Sequence, residues 1–174
     1  MKFLDPHDAL KQFGVYGAQD VGDLGSGAGH FSLAAARRLE GGRLFAIDVE
    51  KGMLARLVSE ARSSGFGNIH ALWGDLARLS GVPLADASLD RAIAANILFQ
   101  VHDRDLFVQE VKRLVKPGGK VLLIDWRDTH GYGPEQSHKV SPESAHALFR
   151  RHGFTKERDI ETGDVQYGMI FVRA

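Results

Sequence analysis

The chain has 174 residues, of which 44% are hydrophobic and 25% charged, a composition typical of one globular domain rather than of disorder or a coiled coil. Its 22 lysines and arginines balance 22 aspartates and glutamates, which disfavours nucleic acid as a partner. It has no cysteine for a disulfide, a thiolate metal site or a nucleophile, and no apolar run near the roughly 20 residues of a membrane span, so we expect a cytoplasmic protein.

Short apolar runs alternate with longer amphipathic patterns over the first 126 residues. The predicted strands are Asp20–Leu24, Arg43–Val49, Ile69–Trp73, Leu89–Ala95 and Lys120–Trp126. The predicted helices are Ala28–Leu39, Lys51–Ser64 and Asp103–Lys116, and the sequence Pro117-Gly118-Gly119 is expected to end the last of them. Strands that alternate with helices in this way indicate a parallel sheet covered on both faces.

The pattern changes after the fifth predicted strand. The polar segment Thr129–Val140 is predicted to be a loop, and Ser141 followed by Pro142 is typical of the start of a helix. Two strand-like runs, Thr155–Glu161 and Gln166–Arg173, flank a Thr-Gly-Asp turn. We therefore expect an α/β fold with seven strands, mostly parallel, closed by a C-terminal antiparallel hairpin.

A glycine-rich turn follows the first predicted strand, where residues 21–31 are VGDLGSGAGHF. Gly25, Gly27 and Gly29 alternate there, and glycine lets the main chain approach a ligand closely. In an open parallel sheet this turn lies near the crevice that binds ligands. A dinucleotide fingerprint would have glycine where this chain has His30, and the Gly-Lys-Ser/Thr triplet of a phosphate loop is missing. The pattern favours a ligand with a ribose and little negative charge, although a purely structural turn also fits it.

Two aspartates stand at the ends of the next two predicted strands. Asp48 could accept hydrogen bonds from both hydroxyls of a ribose, although it could also cap the helix that follows. Asp75 could accept a hydrogen bond from the exocyclic amine of an adenine, and a solvated turn is the alternative. Both interpretations remain open on these residues alone.

Four motifs in order resemble those of the class I S-adenosylmethionine-dependent methyltransferases of type 11, with the ubiquinone and menaquinone biosynthesis methyltransferases the most similar. These motifs are Asp23-x-Gly25-x-Gly27-x-Gly29, Asp48, Gly74-Asp75-Leu76 and the LVKPGG sequence over 114–119. The resemblance implies a Rossmann-like, doubly wound sheet in a single methyltransferase domain over residues 1–174. It implies a cofactor-binding half over about 15–126, a C-terminal loop, helix and hairpin over about 127–174, and S-adenosylmethionine as the cofactor.

The resemblance also assigns roles to single residues of the cofactor site. The loop Gly25–Gly29 would lie along the methionine part of the cofactor, with Asp23 near its amino group. The adenosine part would be held at the strand ends, and the residues implied are Asp48 at the ribose, Val49 beside the adenine, Asp75 at its amine, and the Leu76 N–H at its ring. Asn96 would offer main-chain atoms near the methionine end.

The resemblance names no catalytic residue. The loops after the fourth and fifth strands offer four candidates for a base, which are His102, His130, Tyr132 and His138. His102, just before Asp103, could equally begin a helix, and His130 and His138 could be solvated loop residues. No metal is expected, because no compact histidine or acidic cluster surrounds these residues.

The leading hypothesis is methyl transfer to a small molecule at oxygen, carbon or nitrogen, in the class EC 2.1.1.-. Two absences narrow the class of acceptor. No Pro-Pro pair follows Asn96, which disfavours an amide or an exocyclic amine as the acceptor, and the lack of cysteine disfavours the methylation of arsenic. The alternatives are a cofactor-binding regulatory module without turnover, a nucleotide-dependent oxidoreductase and a nucleic-acid methyltransferase. Little sequence precedes the first strand, so the pocket is expected to be open or completed by a second subunit, and a homodimer stays open.

Overall fold

The computed structural model describes residues 4–129 and 131–174, so the candidate His130 lies outside the described residues. Seven strands and five α-helices alternate along this part of the chain. The strands are β1 (Asp20–Leu24), β2 (Arg43–Asp48), β3 (Ile69–Trp73), β4 (Leu89–Ala95), β5 (Val115–Trp126), β6 (Phe154–Asp159) and β7 (Gln166–Arg173). The helices are α1 (Pro6–Phe13), α2 (His30–Ala36), α3 (Lys51–Ser63), α4 (Arg104–Leu114) and α5 (Pro142–Arg151).

The seven strands form one sheet in the order β3-β2-β1-β4-β5-β7-β6. Strands β1 to β5 are parallel, and β7 runs antiparallel to both of its neighbours. The predicted α/β class, the seven mostly parallel strands and the C-terminal hairpin are therefore confirmed. The strand order reverses between β1 and β4, so a crevice for a ligand lies where the carboxyl ends of these two strands diverge.

Apolar cores on both faces of the sheet make the fold doubly wound. On one face Phe107 of α4 and Phe149 of α5 are fully buried in the same cluster as the sheet residue Ala92. On the other face Leu10 of α1 and Ala35 of α2 belong to a second cluster. Because parallel strands are covered on both faces, their buried stretches are continuous apolar runs, as in residues 92–94 of β4 and 121–124 of β5.

Helix α1 is absent from the sequence-based prediction. Asp5 caps it by accepting a hydrogen bond from the His7 N–H at 2.9 Å, and Gly14 ends it in the left-handed conformation. Gln12 then ties α1 to the turn before β7, because its side chain bonds both the N–H (2.9 Å) and the carbonyl (3.1 Å) of Glu161. Helix α1 is thus held against the C-terminal hairpin.

Several predicted boundaries are wrong by a few residues. Helix α2 covers His30–Ala36, since its first turn is taken up by the glycine loop. Helix α4 stops at Leu114, and Val115 is already extended and paired with Leu89. Pairing is interrupted after Val115 and resumes at Lys120, so Pro117-Gly118-Gly119 forms an irregular segment within β5 rather than the end of a helix.

Among the described residues, no helix combines the length and the apolar character that crossing a membrane requires.

Candidate cofactor site

The loop between β1 and α2 is fastened to the end of β2. The backbone N–H groups of Gly25 and Ser26 both donate to the carbonyl of Ile47, at 2.8 and 3.0 Å. The N–H of Gly29 donates to the carbonyl of Ser26 at 2.8 Å, which closes the turn before the helix begins. These bonds hold the loop at the carboxyl edge of the sheet, where a ligand of this fold class binds.

The three loop glycines all have positive φ, between 49° and 84°, but they face different surroundings. A Cβ on Gly25 would lie 2.5 Å from Cδ1 of Ile97, and one on Gly29 would lie 2.3 Å from Cδ1 of Leu57. A Cβ on Gly27 would meet no atom within 4 Å. A side chain at either outer glycine would therefore displace the end of a neighbouring side chain, whereas Gly27 leaves space open above the loop, as a bound molecule needs.

Asp48 connects this loop with the start of α3. One carboxylate oxygen accepts a hydrogen bond from the Gly27 N–H at 2.8 Å, and the other accepts from the Glu50 N–H at 2.9 Å. The N-cap position of α3 is Glu50, whose side chain makes no capping bond. Asp48 therefore orders the residues before the helix and still lines a cavity with its carboxylate.

One cavity of about 490 Å³ lies at the ends of β2 and β3, and we call it the β2–β3 cavity. Two glycines of the loop, Gly25 and Gly27, line it. It is also lined by the four residues predicted for the adenosine part of the cofactor, which are Asp48, Val49, Asp75 and Leu76. The side chains of Val49 and Met53 are 49% and 37% exposed, so two apolar surfaces are available to a flat ring. The cavity thus combines carboxylates with apolar walls, as an adenosine requires.

Asp75 is held in place from its own loop. Its Oδ1 accepts a hydrogen bond from the Ala77 N–H at 2.9 Å, and its N–H donates to the carbonyl of Gly81 at 3.0 Å. The segment around Gly81 is in turn bound by the buried carboxylate of Glu110, which accepts from the N–H groups of Ser80 (2.8 Å) and Val82 (3.3 Å). A residue on α4 therefore supports the cavity wall formed by Asp75.

A second cavity of about 330 Å³, the β1–β4 cavity, lies on the other side of the glycine loop. It is lined by the predicted residues Asp23 and Asn96, and it shares Gly25 and Gly27 with the β2–β3 cavity. Asp23 is 2% exposed and accepts a hydrogen bond from the Ser32 hydroxyl at 2.6 Å. Burial raises the pKa of the Asp23 carboxyl to about 6, because the charged form is poorly solvated there.

Two glutamines that the sequence analysis does not single out complete the second cavity. Asn96 has a φ of 55°, and its Oδ1 accepts a hydrogen bond from Nε2 of Gln166 at 2.7 Å. Its main-chain carbonyl accepts from Nε2 of Gln100 at 3.0 Å. Gln166 is the first residue of β7 and is 6% exposed. The sequence signal that could have drawn attention to Gln166 is a polar amide at the start of a mostly apolar predicted strand.

The four candidates for a base do not form one group. His102 lines the β2–β3 cavity, and it shares a third cavity with His138 beyond the end of β4. Tyr132 lines a separate groove formed by the loop before α5, and it is not brought to the glycine loop. His130 lies outside the described residues. Nowhere in ranges 4–129 and 131–174 do three histidine, aspartate or glutamate side chains come together as a metal site.

The family described as methyltransferase domain matches residues 18–162. The chain belongs to this family. Family membership confirms the methyltransferase relationship and the cofactor, S-adenosylmethionine, that the sequence motifs imply. The roles predicted for single residues remain predictions, although eight of the nine predicted cofactor residues line the two adjoining cavities. The exception is Gly29, which lines neither of them.

Similar proteins include several methyltransferases with different acceptors. Malonyl-[acyl-carrier protein] O-methyltransferase of Methylococcus capsulatus is 32% identical over 149 residues, which are 78% of this chain and 52% of that protein. Arsenite methyltransferase of Aquipseudomonas alcaligenes is 29% identical over 155 residues, 80% of this chain and 45% of that protein. The chain therefore spans about half the length of these curated relatives.

A solved structure is similar over nearly the whole chain. The SAM dependent methyltransferase from Aquifex aeolicus superimposes with a TM-score of 0.91 at 25% sequence identity, covering 99% of this chain and 91% of that one. The fold described here is thus similar to that of this neighbour over nearly the full length of both chains.

Proposed function

We propose that the chain is an S-adenosylmethionine-dependent methyltransferase that acts on a small molecule. The observation that carries the proposal is the position of Gly25 and Gly27 at the junction of two cavities, one lined by Asp48 and the other by Asp23. A cofactor with an adenosine at one end and an amino acid at the other needs two such compartments. The open space above Gly27 supports the fit.

Within the β2–β3 cavity, Asp48 would bind the ribose hydroxyls, and Val49 and Met53 would pack against the adenine. Asp75 and the main chain of Leu76 would bind the polar edge of the adenine. In the β1–β4 cavity, Asp23 and Asn96 would lie at the amino-acid end. These residues all fall within the cofactor-binding half proposed for about residues 15–126, and the C-terminal loop, helix and hairpin over about 127–174 complete the same sheet.

When bound, S-adenosylmethionine supplies an electrophilic methyl group on a positive sulfonium and leaves as a neutral thioether. The chain therefore has to position an acceptor in line with that group more than it has to supply acids and bases. Asp23, Asp48 and Asp75 give the cofactor cavities a negative character that suits a cationic ligand. A histidine such as His102 is available for an acceptor that must lose a proton.

The finer properties of the protein are also proposals. A small-molecule acceptor is supported by the names of the relatives, which act on an acyl-carrier-bound malonyl group and on arsenite. The absence of cysteine from the 174 residues favours an oxygen or carbon acceptor over arsenic, because trivalent arsenic prefers thiolates. A cytoplasmic location, a homodimer and independence from nucleic acid stay predictions, and the balanced charge supports the last of these.

Calorimetry with S-adenosylmethionine tests the proposal directly. We expect binding in the micromolar range, strongly weakened in Asp48→Ala, and methyl transfer from labelled cofactor to a metabolite fraction of a lysate. Binding without any labelled product would instead indicate a regulatory module. An intact protein that gives no heat with the cofactor would remove the proposal.

A further inference from the structure

A third cavity of about 380 Å³ opens beside the two cofactor cavities, just beyond the end of β4. We call it the histidine cavity, and its lining residues are Phe99, Gln100, Val101, His102, Arg104 and His138. Three of them, Gln100, Val101 and His102, also line the β2–β3 cavity, and Gln100 lines the β1–β4 cavity as well. All three cavities therefore meet at Gln100, which is a suitable place for an acceptor to meet a cofactor.

The lining of the histidine cavity has the opposite chemical character to that of the cofactor cavities. His102, Arg104 and His138 all carry N–H donors, and no aspartate or glutamate is among its lining residues. Arg104 is fixed by a hydrogen bond from its Nε to the carbonyl of Leu98 at 2.9 Å. The N–H of the same residue, Leu98, donates to the buried carboxylate of Asp125 at 3.0 Å. Asp125 also interacts electrostatically with Arg104, so it offsets part of the positive charge of that side chain.

Two other lining side chains, Phe99 and Val101, provide apolar surface. Phe99 and Val101 are half-buried beside the two histidines. The cavity therefore offers an apolar wall for an organic body and basic groups for one polar end. His138 comes from the short 3-10 helix Gln136–His138, so the loop after β5 adds a third basic side chain to His102 and Arg104.

We propose that the histidine cavity binds the methyl acceptor and that this acceptor presents an anionic oxygen, a carboxylate or a phenolate, to His102, Arg104 and His138. Imidazole and guanidinium N–H groups form their strongest hydrogen bonds with an anionic oxygen. An acceptor oxygen that arrives without a proton also needs no base. This proposal rests on the proposed methyltransferase function, because it places the acceptor relative to the cofactor cavities.

Ligand-observed and protein NMR with defined probes test the proposal. The full chain is saturated with S-adenosylhomocysteine and titrated with benzoate and with benzamide, which has a similar shape but no charge. We expect benzoate to shift the ring resonances of His102 and His138, and benzamide to bind about tenfold more weakly, the ratio expected for one lost charge-assisted hydrogen bond. A parallel titration compares ionised 4-nitrophenol with 4-nitroanisole and distinguishes a phenolate site from a carboxylate site.

Matched variants make the result specific. His138 lines only the histidine cavity, so His138→Gln should reduce the preference for the anionic probe by several-fold and leave the affinity for S-adenosylhomocysteine unchanged. The control His7→Gln alters an exposed histidine of α1 that lines none of these cavities, and we expect wild-type binding.

The proposal is overturned if neither anionic probe binds, if the neutral probes bind equally well, or if His138→Gln leaves the preference intact. Failure to bind S-adenosylhomocysteine in the first step would overturn the methyltransferase function itself, so the two failures are distinguishable.

Discussion

The Asp48 carboxylate and the Gly27 N–H are joined by a 2.8 Å hydrogen bond that connects the end of β2 with the glycine loop after β1. The loop follows β1, and β1 is paired in register with its parallel neighbour β2 from Asp20 opposite Arg43 to Leu24 opposite Ile47. The sheet thus fixes the distance between the loop and the carboxylate before any ligand binds, and this preorganisation lowers the cost of binding.

Replacing Asp48 tests its predicted contact with the ribose. Asp48→Asn keeps the size of the side chain but removes its charge. Its amide has only one oxygen, so the NH2 group faces the N–H of either Gly27 or Glu50, where a carboxylate oxygen accepted a hydrogen bond. We expect the dissociation constant for S-adenosylhomocysteine to rise at least about tenfold, because hydrogen bonds to a charged group contribute roughly 1.5–3 kcal/mol. Calorimetry measures this, with the exposed Glu40→Gln as a charge-matched control. An unchanged affinity in Asp48→Asn would contradict the assigned role.

Gly27→Ala tests whether the open space above Gly27 is used by a ligand, and a second variant accounts for the effect of backbone strain. Its φ is 49° and a new Cβ would meet nothing within 4 Å, so the free protein should lose only about 1 kcal/mol of stability. Gly65→Ala is a matched control, since Gly65 also has positive φ (77°) and open space but lies far along the chain after α3. We expect similar melting temperatures for the two variants and weakened cofactor binding for Gly27→Ala alone. Equal affinities would mean that the space above Gly27 is not used.

Much of the sheet and of the cofactor site could be predicted from the sequence. Strands β4 and β5 contain short apolar runs, residues 92–94 and 121–124, whose burial on both faces leaves a strong local pattern. Asp48 and Asp75 could be brought together because parallel strands end at the same edge of a sheet, whatever the details of packing.

Other features depend on contacts between distant segments. Gln166 reaches Asn96 because β7 inserts antiparallel beside β5 and pairs Gln166 with Trp126, a register that no local pattern specifies. Helix α1 had local signals in Asp5, Pro6 and Gly14, but its eight residues are too few to be a convincing helix without the tertiary contacts that bury one face.

Glu110 of α4 is expected to support the cofactor site without touching it. Its carboxylate is fully buried, is bidentate with Arg113 at 2.7 and 2.9 Å, and binds the N–H groups of Ser80 and Val82. Glu110→Ala leaves the buried N–H groups of Ser80 and Val82 without their acceptor, while Arg113 keeps its bonds to Asp86 and to two backbone carbonyls. The free energy of unfolding should therefore fall by about 2–4 kcal/mol. Urea denaturation measures this.

Two further variants show whether the effect of Glu110 is specific. Glu110→Ala should also weaken the binding of S-adenosylhomocysteine, because Glu110 supports the segment next to Asp75. Glu110→Gln, which keeps an acceptor oxygen, should lose less stability and less of this affinity than Glu110→Ala. Glu60→Ala, at an exposed position of α3, should change neither quantity by more than about 0.5 kcal/mol. If Glu110→Ala is as stable as Glu60→Ala, the buried carboxylate does not hold the segment next to Asp75.

The buried Asp23 is expected to make stability depend on pH. Its pKa is raised from 3.8 to about 6, so the folded protein holds this proton more tightly than the unfolded chain does. The resulting stabilisation is fully present below pH 3.8 and is lost as the pH rises through about 6. Between about pH 4.5 and pH 7.5, the free energy of unfolding of the wild type should therefore fall by about 2 kcal/mol more than that of Asp23→Asn.

Asp23→Asn provides the comparison because the amide does not titrate, and its oxygen can still accept the hydrogen bond from Ser32. Asp125, whose pKa burial also raises to about 6, titrates in both proteins and cancels in the difference. We further expect Asp23→Asn to weaken cofactor binding while raising stability near neutral pH, since an ionised carboxylate buried in the free protein is costly yet suits a cationic ligand. Parallel pH profiles for the two proteins would show that Asp23 is not the titrating group.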